Sequence, residues 1–288
     1  MVLTASSLKR NETTTPKFPP PPRKAQNKSA FLLSDAFTTH PSANTTSASK
    51  SLSKAQAPRL ARQVIERKFS AFGGRKVQWG ADDSLVAVFN DPLKAVQCAK
   101  DIQNALPGTA ANGSQIVLKL GLSAGQPVNK KGDFFKDVIS CAHRLSIIAP
   151  DGHILVCSFL RQLCKKDFFC EGISSIKLLT RTEEEFLFKV FDIVEKNLSN
   201  CLFSLDTLCN LVCVSRPQLY RKITSLTGQS PNNFIRALRM QKAMFLLKQK
   251  SWGISEIAYQ VGFNTPSYFA KCFLDKYGCT PSDFVRTS

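Results

Sequence analysis

Residues 262–284 read GFNTPSYFAKCFLDKYGCTPSDF, and this stretch decides the fold of the C-terminal region. Phe269 and Phe273 stand one helical turn apart, which is typical of the buried face of a helix. Thr265 and Pro266 are suited to begin that helix, and Gly278 is suited to end it. The stretch therefore predicts a short helix with an aromatic inner face and a polar outer face.

The same arrangement occurs once more upstream, so the C-terminal region contains an internal repeat. SLDTLCNLVCV (204–214) and SRPQLYRKITSLTG (215–228) predict two short helices joined by a tight turn, as do GISEIAYQVGF (253–263) and TPSYFAKCFLDKYG (265–278). The segment PNNFIRALRMQKAMFLLKQK (231–250) predicts one long helix between the two pairs. A pair of short helices with a tight turn is the geometry of a helix-turn-helix, whose second helix enters the major groove of DNA.

Helical spacing divides each second helix into an inner and an outer face. In the first pair, Leu219, Ile223 and Leu226 fall on one face and are expected to be buried. Polar and basic side chains on the outer face suit base edges and phosphates. The candidate DNA-contacting residues are Arg216, Gln218, Tyr220, Arg221 and Thr224 in the first pair, and Asn264, Thr265, Ser267, Tyr268 and Lys271 in the second. The alternative is an all-α core on which these side chains are incidental.

Residues 203–287 closely resemble the AraC family of bacterial transcription regulators. The resemblance lies in SRPQLYRKITSLTGQSPNNFIRALRMQKAMFLL, ISEIAYQVGFNTPSYFAKCF and YGCTPSDF. It implies a seven-helix, double helix-turn-helix domain that binds double-stranded DNA at promoters. Pro217 departs from the pattern at a position that often carries a base-contacting side chain, which leaves the sequence preference of the first pair open.

Upstream, helices and strands alternate, which predicts an α/β domain over residues 59–180. Helices are predicted in APRLARQVIERKFSAF, DPLKAVQCAKDIQNAL and FKDVISCAHRLSIIA, and strands in GGRKVQWGADDSLVAVF, QIVLKLGLSAG and GHILVCS. Asp91 and Pro92 are suited to begin the second of these helices. We predict a linker helix over 181–200 and the DNA-binding domain over 201–288. The fold class is thus α/β followed by all-α.

The segment 59–180 resembles, in part, the homology domain of class III nucleotide cyclases. The resemblance implies a ferredoxin-like sheet, two carboxylates for two Mg²⁺ ions, a purine-binding pair, and an Asn/Arg pair for the transition state. Asp83 falls at the second metal carboxylate, Asp133 at the second purine-binding position and Arg144 at the arginine. Trp79 stands where an adenine-binding lysine is expected, and Ser140 where the asparagine is expected. Asp35 in FLLSDAFTT is the upstream candidate for the first metal carboxylate.

Because this set is incomplete, we predict a domain that does not catalyse. On that interpretation Asp83 is a turn residue and Arg144 is a surface or salt-bridged group. The domain then serves as a sensor or dimerisation module of a transcription regulator. The alternatives are an active nucleotide cyclase with a fused DNA-binding domain, and a domain that binds a nucleotide without converting it.

Net charge follows the same division of the chain. The formal charge of +18 divides into +11 over residues 1–80, zero over 81–196 and +7 over 197–288. Basic ends indicate a polyanionic partner. Residues 1–58 are rich in Ser, Thr, Ala, Lys and Pro and are predicted to be a disordered basic tail.

A disordered tail would leave the cyclase-like sheet without its interior first strand. Three explanations stay open at this point. The domain is unstable alone, it is completed by a partner chain, or the gene is truncated at its N-terminal end.

The remaining composition points to a cytoplasmic protein, and the resemblance to the AraC family implies a bacterial one. Ten Cys occur without a CxxC pair beside three His, so reduced thiols are expected and no zinc site or other cofactor is predicted. No apolar run is long enough to span a membrane. The expected partners are double-stranded DNA, a small-molecule or nucleotide effector and a second copy of the chain.

Overall fold

The computed structural model describes residues 28–33, 38–40, 51–77, 85–106, 115–125, 136–164 and 175–287. Within these ranges an α/β half precedes an all-helical half, which confirms the predicted fold class. The strands are β1 (Lys28–Leu33), β2 (Thr38–His40), β3 (Arg75–Val77), β4 (Leu85–Phe89), β5 (Gln115–Val117), β6 (Leu120–Gly125), β7 (Ile154–Val156) and β8 (Ile176–Leu178). The helices of the first half are α1 (Ser51–Ala71), α2 (Pro92–Ala105), α3 (Lys136–Ile148) and α4 (Ser158–Leu163).

Six strands form the main sheet in the order β3-β4-β1-β6-β7-β8. β1 is antiparallel to both of its neighbours, with Phe31 opposite Ala87 on β4 and Leu122 on β6. β6, β7 and β8 run parallel. The sheet therefore has its interior first strand, and that strand comes from residues 28–33.

The prediction of a disordered tail over 1–58 is thus wrong for the parts of it that are described. β1 and β2 lie within it, and α1 begins at Ser51 rather than near residue 59. The apolar run in β1 is only AFLL, and Ser- and Thr-rich sequence surrounds it, so no periodic pattern marks a strand. β1 pairs with one strand on each side, and this pairing outweighs the weak local preference of the sequence for a strand.

One predicted strand is divided in two. QIVLKLGLSAG forms β5 and β6 with a break at Leu118 and Lys119, and β5 pairs with β2 in a separate two-stranded ribbon. By contrast, α2 begins as predicted. The Asp91 carboxylate accepts a hydrogen bond from the Leu93 N–H at 2.9 Å, and Pro92 occupies the first helical position.

The helical half begins one helix earlier than the boundary we predicted at 201. Its helices are α5 (Arg181–Lys196), α6 (Leu205–Val212), α7 (Arg216–Thr227), α8 (Pro231–Gln249), α9 (Ile254–Gln260), α10 (Pro266–Tyr277) and α11 (Pro281–Thr287). Residues 201–287 contain six of them, so the predicted count of seven requires α5. That helix contacts α6 and α8, and its residues Leu187, Val190, Phe191 and Val194 are buried.

The apolar core is shared between the two halves of the chain. One continuous cluster runs from the sheet and α2 through α5 into α6, α7 and the first part of α8. A second cluster joins the rest of α8 to α9 and α10. The break between them falls within α8, after Leu238 and before Met240.

Candidate nucleic-acid interface

The first helix-turn-helix unit comprises α6, the turn at Cys213 and α7. The Ser204 and Ser215 hydroxyls accept hydrogen bonds at the N-termini of α6 and α7, from the Thr207 and Gln218 N–H groups. Cys213 has a left-handed backbone with φ 64°, which turns the chain between the two helices. α7 buries Leu219, Ile223, Leu226 and Thr227. Its opposite face is therefore turned away from the core.

On that outer face the structure separates the predicted residues into two groups. Tyr220, with 55% of its surface exposed, and Arg221 face solvent. Arg216 is also exposed and forms an ion pair with Asp206 on α6, with Nε 3.2 Å from Oδ1. These three side chains are available to a ligand that approaches α7.

Two predicted residues of α7 are placed differently. The Gln218 Oε1 accepts a hydrogen bond from the Ser215 N–H at 3.2 Å, so this side chain closes the capping box of α7. Thr224 is half-buried rather than outward-facing, and its Oγ1 is buried without a hydrogen-bond partner among the described residues. Thr224 follows the buried Ile223 and lies at the edge of the apolar stripe, where helical spacing alone does not decide burial.

The second unit comprises α9, the turn at Gly262 and α10. Gly262 has φ 80°, a left-handed conformation that favours glycine. The Phe269 ring packs against Phe263 at 5.5 Å and against Phe273 at 5.9 Å between centroids. These aromatic contacts fix the inner face of α10, as the spacing predicts.

All five predicted residues of the second unit are exposed. The Thr265 hydroxyl accepts a hydrogen bond from the Tyr268 N–H at 3.3 Å and begins α10, so its role is that of a cap. The Tyr268 ring leans against Phe263 at 5.8 Å while half of its surface stays exposed. Asn264, Ser267 and Lys271 complete a polar surface at the start of the helix.

Arg144 is the arginine among the predicted nucleotide-site residues, and its side chain is turned toward the helical half. Its Nη1 lies 2.8 Å from Asp192 Oδ1, and its Nη2 lies 3.8 Å from Glu195 Oε2, both on α5. The guanidinium also stands 5.0 Å from the Phe191 ring centroid. This placement agrees with the interpretation of Arg144 as a salt-bridged group.

The rest of that set is described only in part. Ser140 is half-buried on α3, whereas Asp35, Trp79, Asp83 and Asp133 lie outside the described residues. Among the residues that are described, no group of three or more His, Cys, Asp or Glu side chains could hold a metal ion. Of the predicted set, the structure therefore places only Ser140 and Arg144, and Arg144 is paired with two carboxylates of α5.

Sequence reasoning missed how α5 and β8 connect the α/β half to the first unit. The Glu184 carboxylate on α5 accepts a hydrogen bond from the Ser158 N–H at 2.5 Å, and the Cys141 thiol lies 3.9 Å from it. Lys177 on β8 donates a hydrogen bond to the Ser225 carbonyl of α7. Lys189 on α5 donates to the Val212 carbonyl at 3.1 Å, at the end of α6. Local sequence gives no signal for these partners, because the paired residues lie 23 to 48 positions apart along the chain.

No disulfide joins the cysteines of the described ranges, and five of the nine are buried. Burial raises the pKa of the Cys98 thiol to about 12 and that of Cys164 to about 11. Both thiols therefore stay protonated near neutral pH. Within the described part of the chain, no helix is both long enough and apolar enough to cross a membrane.

Comparison with known proteins places this architecture in a class. Residues 208–287 match the family model of a helix-turn-helix domain. The chain is 41% identical over 106 residues to histidine kinase P4 of Formosa agariphila, a match that covers 37% of this chain and 8% of the kinase. It is 36% identical over 95 residues to the transcriptional activator RhrA of Rhizobium meliloti, covering 32% of this chain and 30% of RhrA.

The C-terminal region is therefore an AraC-family helix-turn-helix domain, and the resemblance drawn from its motifs is confirmed. The chain spans less than a third of the length of either of these relatives. About half of the chain also matches a solved structure, that of an adenylate/guanylate cyclase/hydrolase from Silicibacter pomeroyi. The two are 25% identical, with a TM-score of 0.36 and coverage of 48% of this chain and 80% of that one.

Proposed function

We propose that the protein is a sequence-specific, double-stranded DNA-binding transcription regulator. The observation that carries this proposal is the pair of helix-turn-helix units on one continuous helix, α8, each with a polar outer face on its second helix. α8 contributes buried residues to the core of both units. Two second helices held by one rigid helix suit successive major-groove segments on one side of a duplex.

The exposed residues divide by the chemistry of their ligands. Asn264, Ser267 and Tyr268 lie at the start of α10, where an inserted helix meets base edges. Arg221 and Lys271 carry positive charge on the outer faces of α7 and α10 and suit phosphate oxygens. We therefore assign sequence selection mainly to the start of α10 and charge neutralisation to these two basic side chains.

Arg221→Ala and Lys271→Ala test this assignment. The probe is a duplex that the full-length protein selects from its own genomic DNA, measured by gel shift over a range of salt concentrations. Each variant should bind more weakly, and the slope of log K against log salt should fall by about one, because each loses one phosphate contact. Arg67→Ala, on α1 in the α/β half, removes an exposed arginine of the same charge and serves as the control. Unchanged binding by both variants would refute the proposed outer faces.

For the α/β half we propose a non-catalytic sensor or dimerisation module. The supporting observation is that Arg144 binds Asp192 and Glu195 on α5, the first helix of the helical half. A small-molecule or nucleotide effector, or a second copy of the chain, that displaced α3 would also displace α5 and the first unit packed on it. On this proposal the protein works in the bacterial cytoplasm, where its DNA lies.

Nucleotide turnover tests the non-catalytic assignment directly. The purified chain is incubated with ATP or GTP and Mn²⁺, and cyclic product is measured. We expect none, since the arginine of the set is paired within the fold. Product that disappears in Asp83→Ala would establish the alternative, a nucleotide cyclase with a fused DNA-binding domain.

A further inference from the structure

Arg239 lies on α8 at the boundary between the two apolar clusters. Leu238 before it belongs to the first cluster and Met240 after it belongs to the second. Apolar packing therefore holds each unit to its own part of α8. Polar contacts at residue 239 lie where the two units approach each other along α8.

The Arg239 guanidinium binds the chain where it enters the first unit. Its Nη2 donates a hydrogen bond to the Asn200 carbonyl at 2.9 Å, in the connection between α5 and α6. Its Nε is buried and has no hydrogen-bond partner among the described residues. Burial lowers the pKa of this guanidinium from its usual value, so its charge is partly removed from water.

The other side of the guanidinium faces the turn of the second unit. A Cβ added at Gly262 would lie 2.2 Å from the Leu198 carbonyl oxygen and 3.0 Å from both Cζ and Nη2 of Arg239. The turn between α9 and α10 thus lies against both the α5–α6 connection and the arginine. Three elements meet at this point: the chain entering the first unit, the helix α8 and the turn of the second unit.

Two further contacts attach α10 to α8. The Tyr277 hydroxyl donates a hydrogen bond to the Met240 carbonyl at 3.2 Å, and Lys276 donates one to the Ala237 carbonyl at 3.2 Å. The orientation of α10 therefore follows α8. Arg239 lies at the contact between α8 and the chain that enters the first unit, where it adds a polar contact to the apolar packing.

We infer that Arg239 is a positioning residue that fixes the spacing and angle between the two helix-turn-helix units, and hence the spacing of the two DNA half-sites. This inference rests on the proposed function. Arg239 itself is half-buried and is not among the residues assigned to DNA. Its removal should therefore change which spacing is accepted more than it changes which bases are selected.

The experiment measures affinity against half-site spacing for the full-length protein. The probe is a duplex selected by the wild-type protein from a randomised library, together with derivatives that carry one to three extra base pairs between the half-sites. Two extra base pairs rotate one half-site by about 70° relative to the other. The wild type should lose at least about tenfold in affinity on that insertion, whereas Arg239→Ala should lose less than about threefold.

Two further variants make the result specific. Arg236→Ala, whose guanidinium is exposed and binds Asn233 within α8, should keep the wild-type spacing profile. Arg239→Lys keeps a donor for the Asn200 carbonyl, so its loss of affinity on insertion should lie between those of the wild type and Arg239→Ala. It replaces the alanine variant in this test if that variant does not fold. A uniform loss of affinity with the wild-type spacing profile in both Arg239 variants would overturn the inference and leave the proposed function intact. Selection of no duplex by the wild type would instead overturn the proposed function, and this role with it.

Discussion

Lys276 shows how a single side chain at the junction of the two halves is perturbed by its surroundings. It is half-buried near the end of α10. Burial is the main cause that lowers the pKa of Lys276 to about 7, with repulsion from Lys119 and Arg236 adding to it and attraction to Asp151 opposing it. Lys119 is itself paired with Asp151, with its Nζ 3.0 Å from the carboxylate Oδ1.

Lys276→Met should therefore stabilise the protein in a pH-dependent way. In the folded state the amine is charged below about pH 7, whereas in the unfolded chain it stays charged up to about 10.5. Between these values the unfolded state binds more protons, so this lysine makes the wild type gain stability as pH rises. The advantage in Tm of Lys276→Met should be largest at pH 6 and should narrow by on the order of 5 °C by pH 9. Thermal melts of both proteins across this range check it, and a gap that does not change with pH would contradict it.

Individual side chains also show where sequence reasoning reaches its limit. The burial of Leu219 and Phe269 follows from helical spacing, and so does the exposure of Arg221 and Lys271. Thr224 is half-buried rather than outward-facing as predicted, because it lies next to the buried stripe. The sequence left Arg144 as either a surface group or a salt-bridged group, since its partners on α5 lie about fifty residues away along the chain.

At the scale of elements, the close approach of β6 and α3 depends on a residue without a side chain. A Cβ added at Gly121 would lie 2.1 Å from the Ala142 carbonyl oxygen and 2.5 Å from the Ser146 nitrogen. Both are backbone atoms of α3, so neither can move aside without shifting the helix. α3 carries Arg144, and its seat on the sheet therefore affects the contact with α5.

Gly121→Ala should lower the free energy of unfolding by about 3 kcal/mol or more, because it forces the helix away from the sheet. Chemical denaturation followed by circular dichroism measures this loss. Gly253→Ala is the matched control, since its added methyl group would meet only the flexible Glu256 carboxylate, at 3.3 Å. A loss of similar size in both variants would show that the cost comes from glycine replacement in general rather than from the β6–α3 contact.

Elements were predictable where local chemistry defines their ends. Residues whose types suit helix ends lie at helix ends. The N-caps are Asp91, Ser215 and Thr265, and the C-caps are Gly228 and Gly278. Two features that the sequence does not show share one physical cause. β1 and the membership of α5 in the helical half both depend on tertiary partners, namely two neighbouring strands and the helices α6 and α8. The local sequence does not indicate which distant elements an element will contact.

At the scale of the whole molecule, the position of β1 changes how the basic N-terminal segment can be tested. Removal of residues 1–56 would delete an interior strand of the sheet together with β2. Loss of DNA binding in such a protein would then report damage to the fold. A deletion that ends at residue 26 leaves β1 intact and still removes five of the basic residues, namely Lys9, Arg10, Lys17, Arg23 and Lys24.

Deletion of residues 1–26 should weaken DNA binding without altering the sequence that is selected. Each Lys or Arg that neutralises a phosphate releases counterions, so the slope of log K against log salt should decrease by up to about 4. Gel shifts on the selected duplex and on an unrelated duplex of equal length, from low to physiological salt, measure this. A full-length control with the five basic residues replaced by Gln separates charge from chain length, and it should match the deletion. If both proteins keep the wild-type slope, the segment does not contact DNA, and the electrostatic part of binding belongs to the helix-turn-helix units alone.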